Sequence, residues 1–106
     1  SADMKSGSIV PGSVQQENEV LKPQVFAYPN PFKGQITFRI LTPENGKGSL
    51  SIYSSTGQLL ATVFEQQISA GKMFTYEYKA SDSWKGNLFY VFKFNGKSYS
   101  GKLLKE

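Results

Sequence analysis

The sequence predicts an all-β fold, a seven-stranded antiparallel β-sandwich with no significant helix. Short stretches of alternating polar and apolar residues recur along the chain, and residues that favour turns separate them. No stretch sustains a helical spacing of apolar residues. At 106 residues, with 39% hydrophobic and 14% aromatic residues, the chain has enough apolar surface for one core.

The predicted strands begin only after a polar segment. Residues 1–22 contain Gly and Pro without a sustained period, so we expect a flexible linker there that leads from a preceding domain. The folded domain is then expected to span residues 23–106. The expected strands, in chain order, are 24–28, 35–41, 49–54, 58–64, 74–79, 88–94 and 97–105.

The first two strands are predicted from local pattern. Residues 24–28 form a short run that ends where prolines begin. In the second strand Ile36, Phe38 and Ile40 share one face, and polar residues share the other. This alternation is typical of a strand that covers a core on one side.

Turn residues separate the next two strands from their neighbours. Asn45-Gly46 precedes the third strand and is expected to adopt positive φ. The third strand carries apolar residues at alternate positions. A turn at 55–57 leads to the fourth strand, 58–64, which is nearly apolar on both faces.

The last three strands are predicted from alternation, apolar content and a turn signal. Phe74, Tyr76 and Tyr78 define one face of the fifth strand. The sixth is the most apolar, so we expect it to be central in its sheet. Asn95-Gly96 is a strong two-residue hairpin signal, which makes the seventh strand its partner.

The segment Pro29-Asn30-Pro31 joins the first two predicted strands. Each proline fixes φ at about −65° and lacks an N–H, and each keeps the preceding residue extended. We therefore predict a stiff strut without backbone pairing that crosses between the two sheets. The Asn30 side chain is expected to close the turn by bonding to neighbouring backbone.

The composition excludes most catalytic chemistry. The sequence has no cysteine and no histidine, which rules out a thiolate nucleophile, a Ser-His-Asp triad and a His-ligated metal within it. The carboxylates form no close inward pair and no calcium-loop pattern. We therefore expect no enzymatic activity, no catalytic residue, no cofactor and no metal site.

The charge of the chain is mildly basic. Its net +4 comes mainly from lysines spread singly along the sequence, whereas nucleic-acid binding needs a basic stripe, so no nucleic-acid partner is expected. There is no apolar run of the ~20 residues that a membrane helix needs, and no signal peptide, so we expect no direct membrane insertion. We expect the sequence to be the C-terminal piece of a longer protein.

Trp84 lies in the loop between the fifth and sixth predicted strands. In one interpretation it is a plug that closes one end of the sandwich. In the other it is an exposed platform for a sugar ring, and the domain is an Ig-like adhesion or carbohydrate-binding module retained on its parent protein. The plug is favoured because no second loop aromatic stands at an obvious spacing.

Lys102-Leu103-Leu104-Lys105 ends the last predicted strand. In one interpretation the lysines blunt an edge strand against aggregation. In the other the segment is presented to a partner, which adds a strand to its free outer edge or pairs with its charges. The residues alone leave both interpretations open.

Four motifs, in order, resemble those of the type A C-terminal sorting domain of the Bacteroidetes type IX secretion system (Por secretion system). The likeness runs from about residue 25 to about residue 105. The motifs are Pro29-Asn30-Pro31, Ile52-Tyr53 followed by Gly57-Gln58, Gly86 with Tyr90, and Lys102-Leu103-Leu104-Lys105.

The resemblance implies an Ig-like β-sandwich that serves as an address label. Such a label directs a cargo protein from the periplasm through the outer membrane, to be secreted or kept at the cell surface. It implies three partners: an outer-membrane shuttle protein, the translocon, and a sortase-like C-terminal signal peptidase that usually removes the label. The cargo is then released or joined to anionic lipopolysaccharide.

The resemblance also suggests roles for the motif residues. Lys102, Leu103, Leu104 and Lys105 are predicted to dock on the shuttle or translocon, and the linker 1–22 is predicted to contain the cleaved bond. The remaining motif residues are predicted to maintain the fold: Pro29, Asn30, Pro31, Tyr53, Gly57, Gly86 and Tyr90.

Overall fold

A computed structural model describes residues 21–106, so the linker predicted for residues 1–22 lies, except for its last two residues, outside the described part. The described chain forms seven strands and no helix, which confirms the predicted all-β class. The strands are β1 (Gln24–Tyr28), β2 (Gln35–Leu41), β3 (Gly46–Ser54), β4 (Leu59–Ile68), β5 (Phe74–Lys79), β6 (Gly86–Phe94) and β7 (Lys97–Lys105).

The strands form two antiparallel sheets, one of three strands in the order β1-β2-β5 and one of four in the order β4-β3-β6-β7. β6 lies between β3 and β7, so its predicted central position is confirmed. No helix that is long and apolar enough to cross a membrane is found within residues 21–106.

The core lies between the inner faces of the two sheets. The predicted alternation in β2 is confirmed, because Ile36, Phe38 and Ile40 are all 0% exposed. Burying such side chains is worth about 1.5–3 kcal/mol each before entropy is counted. The four-stranded sheet and its loops contribute, among others, Leu50, Ile52, Phe64, Leu88, Phe92, Phe94 and Leu103.

A register shift explains why β4 is apolar on adjacent positions. Leu50 pairs with Phe64 while Ser51 pairs with Thr62, so Val63 is an extra residue and both Val63 and Phe64 are buried. β4 continues past its predicted end at residue 64 to Ile68. The sequence contains no signal for this extension because residues 65–67 are polar. They belong to the strand because their backbone pairs with β3, which does not depend on side-chain polarity.

The two Asn-Gly pairs behave differently. Asn95 and Gly96 adopt φ of 48° and 81°, which confirms the predicted hairpin turn. The prediction of positive φ at Asn45-Gly46 was wrong, since neither residue adopts it and β3 already begins at Gly46. The Asn45 side chain instead accepts a hydrogen bond from the amide N–H of Ala70 at 2.8 Å, which ties two loops together.

The sandwich has two distinct ends. We call one the linker end, because residues 21–23 lie there beside loop 42–45, loop 69–73 and the 95–96 turn. The antiparallel pairing places the other turns at the opposite end, which we call the far end. It comprises 29–34, 55–58, 80–85 and 105–106.

Candidate functional site

The first and last sequence motifs meet at the far end. The carboxamide of Asn30 donates a hydrogen bond from Nδ2 to the carbonyl oxygen of Lys102 at 3.1 Å. Its Oδ1 accepts one from the amide N–H of Leu104 at 2.9 Å. One side chain thus takes both bonds that a backbone peptide group of a neighbouring strand would take.

Phe32 continues this contact with its own backbone. Its N–H donates to the carbonyl of Leu104 at 2.9 Å, and its carbonyl accepts from the N–H of Glu106 at 2.9 Å. The two bonds make a parallel bridge between Phe32 and Lys105. The Phe32 side chain is 0% exposed, which anchors the segment in the core. We call Asn30 and Phe32, with the edge of β7 that they pair with, the edge clamp.

The edge clamp corrects the prediction for Pro29-Asn30-Pro31. β1 and β2 are neighbours in one sheet, so the segment is not a crossover between sheets. Within residues 21–106 the backbone of the segment makes no hydrogen bond, as predicted. The Asn30 side chain, however, bonds to β7 of the other sheet, far along the chain, and not to its own neighbours. Neither proline has a backbone N–H that could donate a hydrogen bond to β7. The Asn30 side chain provides that donor instead. Both prolines follow cis peptide bonds.

The four predicted docking residues point in two directions. Leu103 is 1% exposed and belongs to the core, and Lys105 is 8% exposed with its ammonium donating to the carbonyl of Glu106 at 2.8 Å. Lys102 and Leu104 point outward. Only these two side chains are therefore available to a partner without a change of fold.

The edge clamp also corrects the expectation of a free outer edge along this segment. From residue 102 to residue 106 the outer edge of β7 is already bonded to Asn30 and Phe32. A partner strand could not add there without displacing them. Docking by these residues therefore stays a prediction, restricted to side-chain contacts of Lys102 and Leu104.

The second motif builds the hairpin between β3 and β4. Gly57 adopts a φ of 90° and donates its N–H to the carbonyl of Ser54 at 2.9 Å. The Ser54 hydroxyl accepts the N–H of Gln58 at 3.1 Å, which closes the loop from the side chain. Gly57 is required here because residues with a side chain rarely adopt this φ. Tyr53 precedes the loop, half-buried on the outer face of the sheet.

The third motif places Tyr90 on the inner face of β6. Its ring packs edge-on against Phe38 with centroids 5.9 Å apart. It also covers Gly101 of β7, where an added Cβ would overlap the ring. Burial raises the pKa of the Tyr90 hydroxyl above its usual value. Sequence reasoning missed Gly101, although a glycine inside a strand signals such close approach.

Trp84 is buried, with 8% of its surface exposed, and stacks on Tyr78 with ring centroids 5.9 Å apart and an interplanar angle of 11°. It therefore plugs the far end, as the favoured interpretation predicted. A buried indole offers no platform to a sugar, so the alternative of a carbohydrate-binding module loses the residue on which it depended. Among residues 21–106 no three Asp or Glu side chains lie close enough to hold a metal ion.

Comparison with known proteins adds one finding. A family model described as the secretion system C-terminal sorting domain matches residues 26–106. The match therefore begins within β1 and includes the edge clamp and all later strands. Searches of the curated proteins and of the solved structures each returned no match.

Proposed function

Because this chain belongs to the family of secretion system C-terminal sorting domains, we propose that the secretion machinery recognises it as a folded body whose far end carries the recognition features. Its membership makes it a secretion signal of the Por (type IX) system and not an enzyme, and implies export across the outer membrane. The proposal concerns how that signal is presented.

The observation that supports this proposal is the convergence of the four motifs. The edge clamp joins the first and the fourth, the hairpin at Gly57 holds the second, and Gly86, with φ of 80°, opens β6 opposite Lys105. These residues lie at the far end or next to it, although they are spread through the sequence, whereas Tyr90 of the third motif lies midway along β6. A linear peptide cannot bring such distant motifs together, whereas a folded sandwich does.

The finer steps follow from the same proposal. An outer-membrane shuttle protein and the translocon bind the far end, and a sortase-like C-terminal signal peptidase cuts within residues 1–22. The cargo passes through the periplasm and is then released or joined to lipopolysaccharide at the cell surface. What supports this order is that the sequence of residues 1–22 predicts a polar linker, and proteases cut linkers more readily than the hydrogen-bonded strands of a folded sandwich.

The test is export of a reporter. Residues 1–106 are fused to the C-terminus of a periplasm-directed fluorescent protein in a Bacteroidetes host that has an intact Por system. We expect the reporter outside the cell or on its surface, without residues 23–106. Two controls carry residues 1–22 alone, or the whole sequence with Phe92→Asp, which places a charge in a core position that is 0% exposed.

Both controls should leave the reporter in the periplasm, since each lacks a folded sandwich. Export by the Phe92→Asp variant, shown to be unfolded by circular dichroism, would contradict recognition of a folded body. Export that depends on the folded domain but leaves it attached to the reporter would contradict only the cleavage step.

A further inference from the structure

The outer face of the four-stranded sheet changes character along its length. Strand registers define rows of side chains that run across β4, β3, β6 and β7. Towards the linker end one row consists of Glu65, Ser49, Lys93 and Ser98. At the far end the corresponding row, which we call the apolar row, consists of Leu59, Tyr53, Phe89 and Lys102.

The apolar row is partly exposed to solvent and continues along β7 to Leu104. Leu59 is 53% exposed, and Leu104, on the same face as Lys102, is 40% exposed. Tyr53 and Phe89 between them are half-buried. Directly opposed side chains on one sheet face have Cβ atoms about 4.5–5.5 Å apart, so these residues form one continuous surface. Contiguous apolar surface of this kind marks an interaction site more often than isolated exposed residues do.

Burial in the core does not account for the apolar row. None of its residues belongs to the core cluster or packs against it. The polar rows of the same face show that serines, threonine and charged residues serve equally well at outward positions of these strands. The apolar character at the far end therefore has another cause than the core.

The charges on this face restrict the kind of partner. Lys102 ends the apolar row, and Lys47 and Lys93 lie on the same outer face. Glu65 lies in the row with Ser49, away from Lys102. A complementary surface is thus apolar, with a carboxylate opposite Lys102.

The edge clamp prepares this surface for binding. Asn30 bonds to the backbone of both Lys102 and Leu104, the two outward residues at the end of β7. A strand end held in this way loses less conformational entropy when a partner binds. The clamp and the apolar row therefore belong to one functional surface.

Given the proposed function, on which this inference rests, we propose that the apolar row with Leu104 docks onto a protein of the Por secretion machinery. The partner contributes an apolar patch with a carboxylate that pairs with Lys102. The opposite sheet also exposes two aromatic residues, Phe26 and Tyr28. Their rows continue through polar residues, Arg39 and Thr75 beside Phe26 and Thr37 and Glu77 beside Tyr28. That face serves as the control.

The experiment uses the reporter fusion of residues 1–106 with single substitutions. Leu59→Glu and Leu104→Glu introduce a charge into the proposed surface, and Phe26→Glu introduces the same charge at a residue that is 49% exposed on the other sheet. We expect the first two to lower the exported fraction at least tenfold and Phe26→Glu to leave it unchanged. Lys102→Glu should lower it as well, whereas Lys102→Arg should retain it.

Purified variants are compared by thermal unfolding, so that only folded ones are interpreted. If Leu59→Glu does not fold, Leu59→Ser replaces it and the same loss of export is expected. Normal export of folded Leu59 and Leu104 variants would overturn the proposal, as would an equal loss for Phe26→Glu.

Two further outcomes separate this inference from its alternatives. In the first, the unmutated domain self-associates in sedimentation experiments, and Leu59→Glu abolishes the self-association without loss of export. This result would assign the surface to a second copy of the domain and overturn the proposal. Failure of the unmutated domain to export the reporter would overturn the proposed function itself, and this inference with it.

Discussion

The two hydrogen bonds of Asn30 allow a quantitative prediction about the edge clamp. Asn30→Ala removes the bonds of 3.1 Å to Lys102 and 2.9 Å to Leu104. A hydrogen bond contributes about 0.5–1.5 kcal/mol net, and Asn30 is exposed, so both together should contribute about 1–2 kcal/mol. In a domain of this size that loss lowers the unfolding midpoint by roughly 5–12 °C.

Circular dichroism during heating measures the midpoint, and amide hydrogen exchange followed by NMR locates the effect. In the variant the Leu104 N–H loses its acceptor, whereas the Glu106 N–H keeps the carbonyl of Phe32. Exchange at Leu104 should therefore accelerate more than exchange at Glu106, by about tenfold for each 1.4 kcal/mol of local stability lost.

A matched substitution isolates the hydrogen bonds from the loss of an asparagine as such. Asn87 is exposed on β6, and within residues 21–106 its side chain makes no hydrogen bond. Asn87→Ala should leave the midpoint nearly unchanged. Equal midpoints for Asn30→Ala and the wild type, with unaltered exchange at Leu104, would refute the idea that this side chain secures the end of β7.

Two further predictions concern Tyr90. Gly101→Ala places a Cβ against its ring, and such overpacking should destabilise the domain by about 1–3 kcal/mol in urea unfolding, a cost that Tyr90→Leu in the same chain should reduce. Burial raises the pKa of Tyr90, so the stability due to its neutral hydroxyl is full below the ordinary tyrosine pKa of about 10 and is lost as the pH rises through the higher folded value. Between about pH 8 and pH 12 the unfolding free energy should thus fall more steeply for the wild type than for Tyr90→Phe, and parallel curves would contradict this assignment.

The strands could be predicted because each depends on a local pattern. The alternation of polar and apolar residues predicted β2 and β5 with their observed bounds. The Asn95-Gly96 turn predicted the hairpin of β6 and β7. β3, β4 and β6 were predicted too short, since most of the missed residues are polar or glycine and belong to a strand only through pairing with its neighbours. Backbone pairing between strands is not visible in a strand's own side chains.

The candidate site could be predicted only in part. The motifs identified the residues, but Asn30 lies 74 residues from Leu104, and the proline pattern shows only that the local backbone cannot pair. Which strand edge the carboxamide reaches depends on the packing of the two sheets. The apolar row was likewise hidden, because Leu59, Tyr53 and Phe89 become neighbours only once three strands have a common register.

The placement of residues 21–23 and 105–106 at opposite ends has a mechanical consequence. A nine-residue strand such as β7 is roughly 30 Å long. If residues 1–22 lead from a cargo protein and the far end is the docking surface, as proposed, about that distance separates the two. On that proposal a cargo protein would not cover the docking surface, so the same domain would suit cargo proteins of different size. Cleavage within the linker would then release the cargo protein while the domain is still bound. Binding and cleavage would take place at opposite ends of the domain and would not compete.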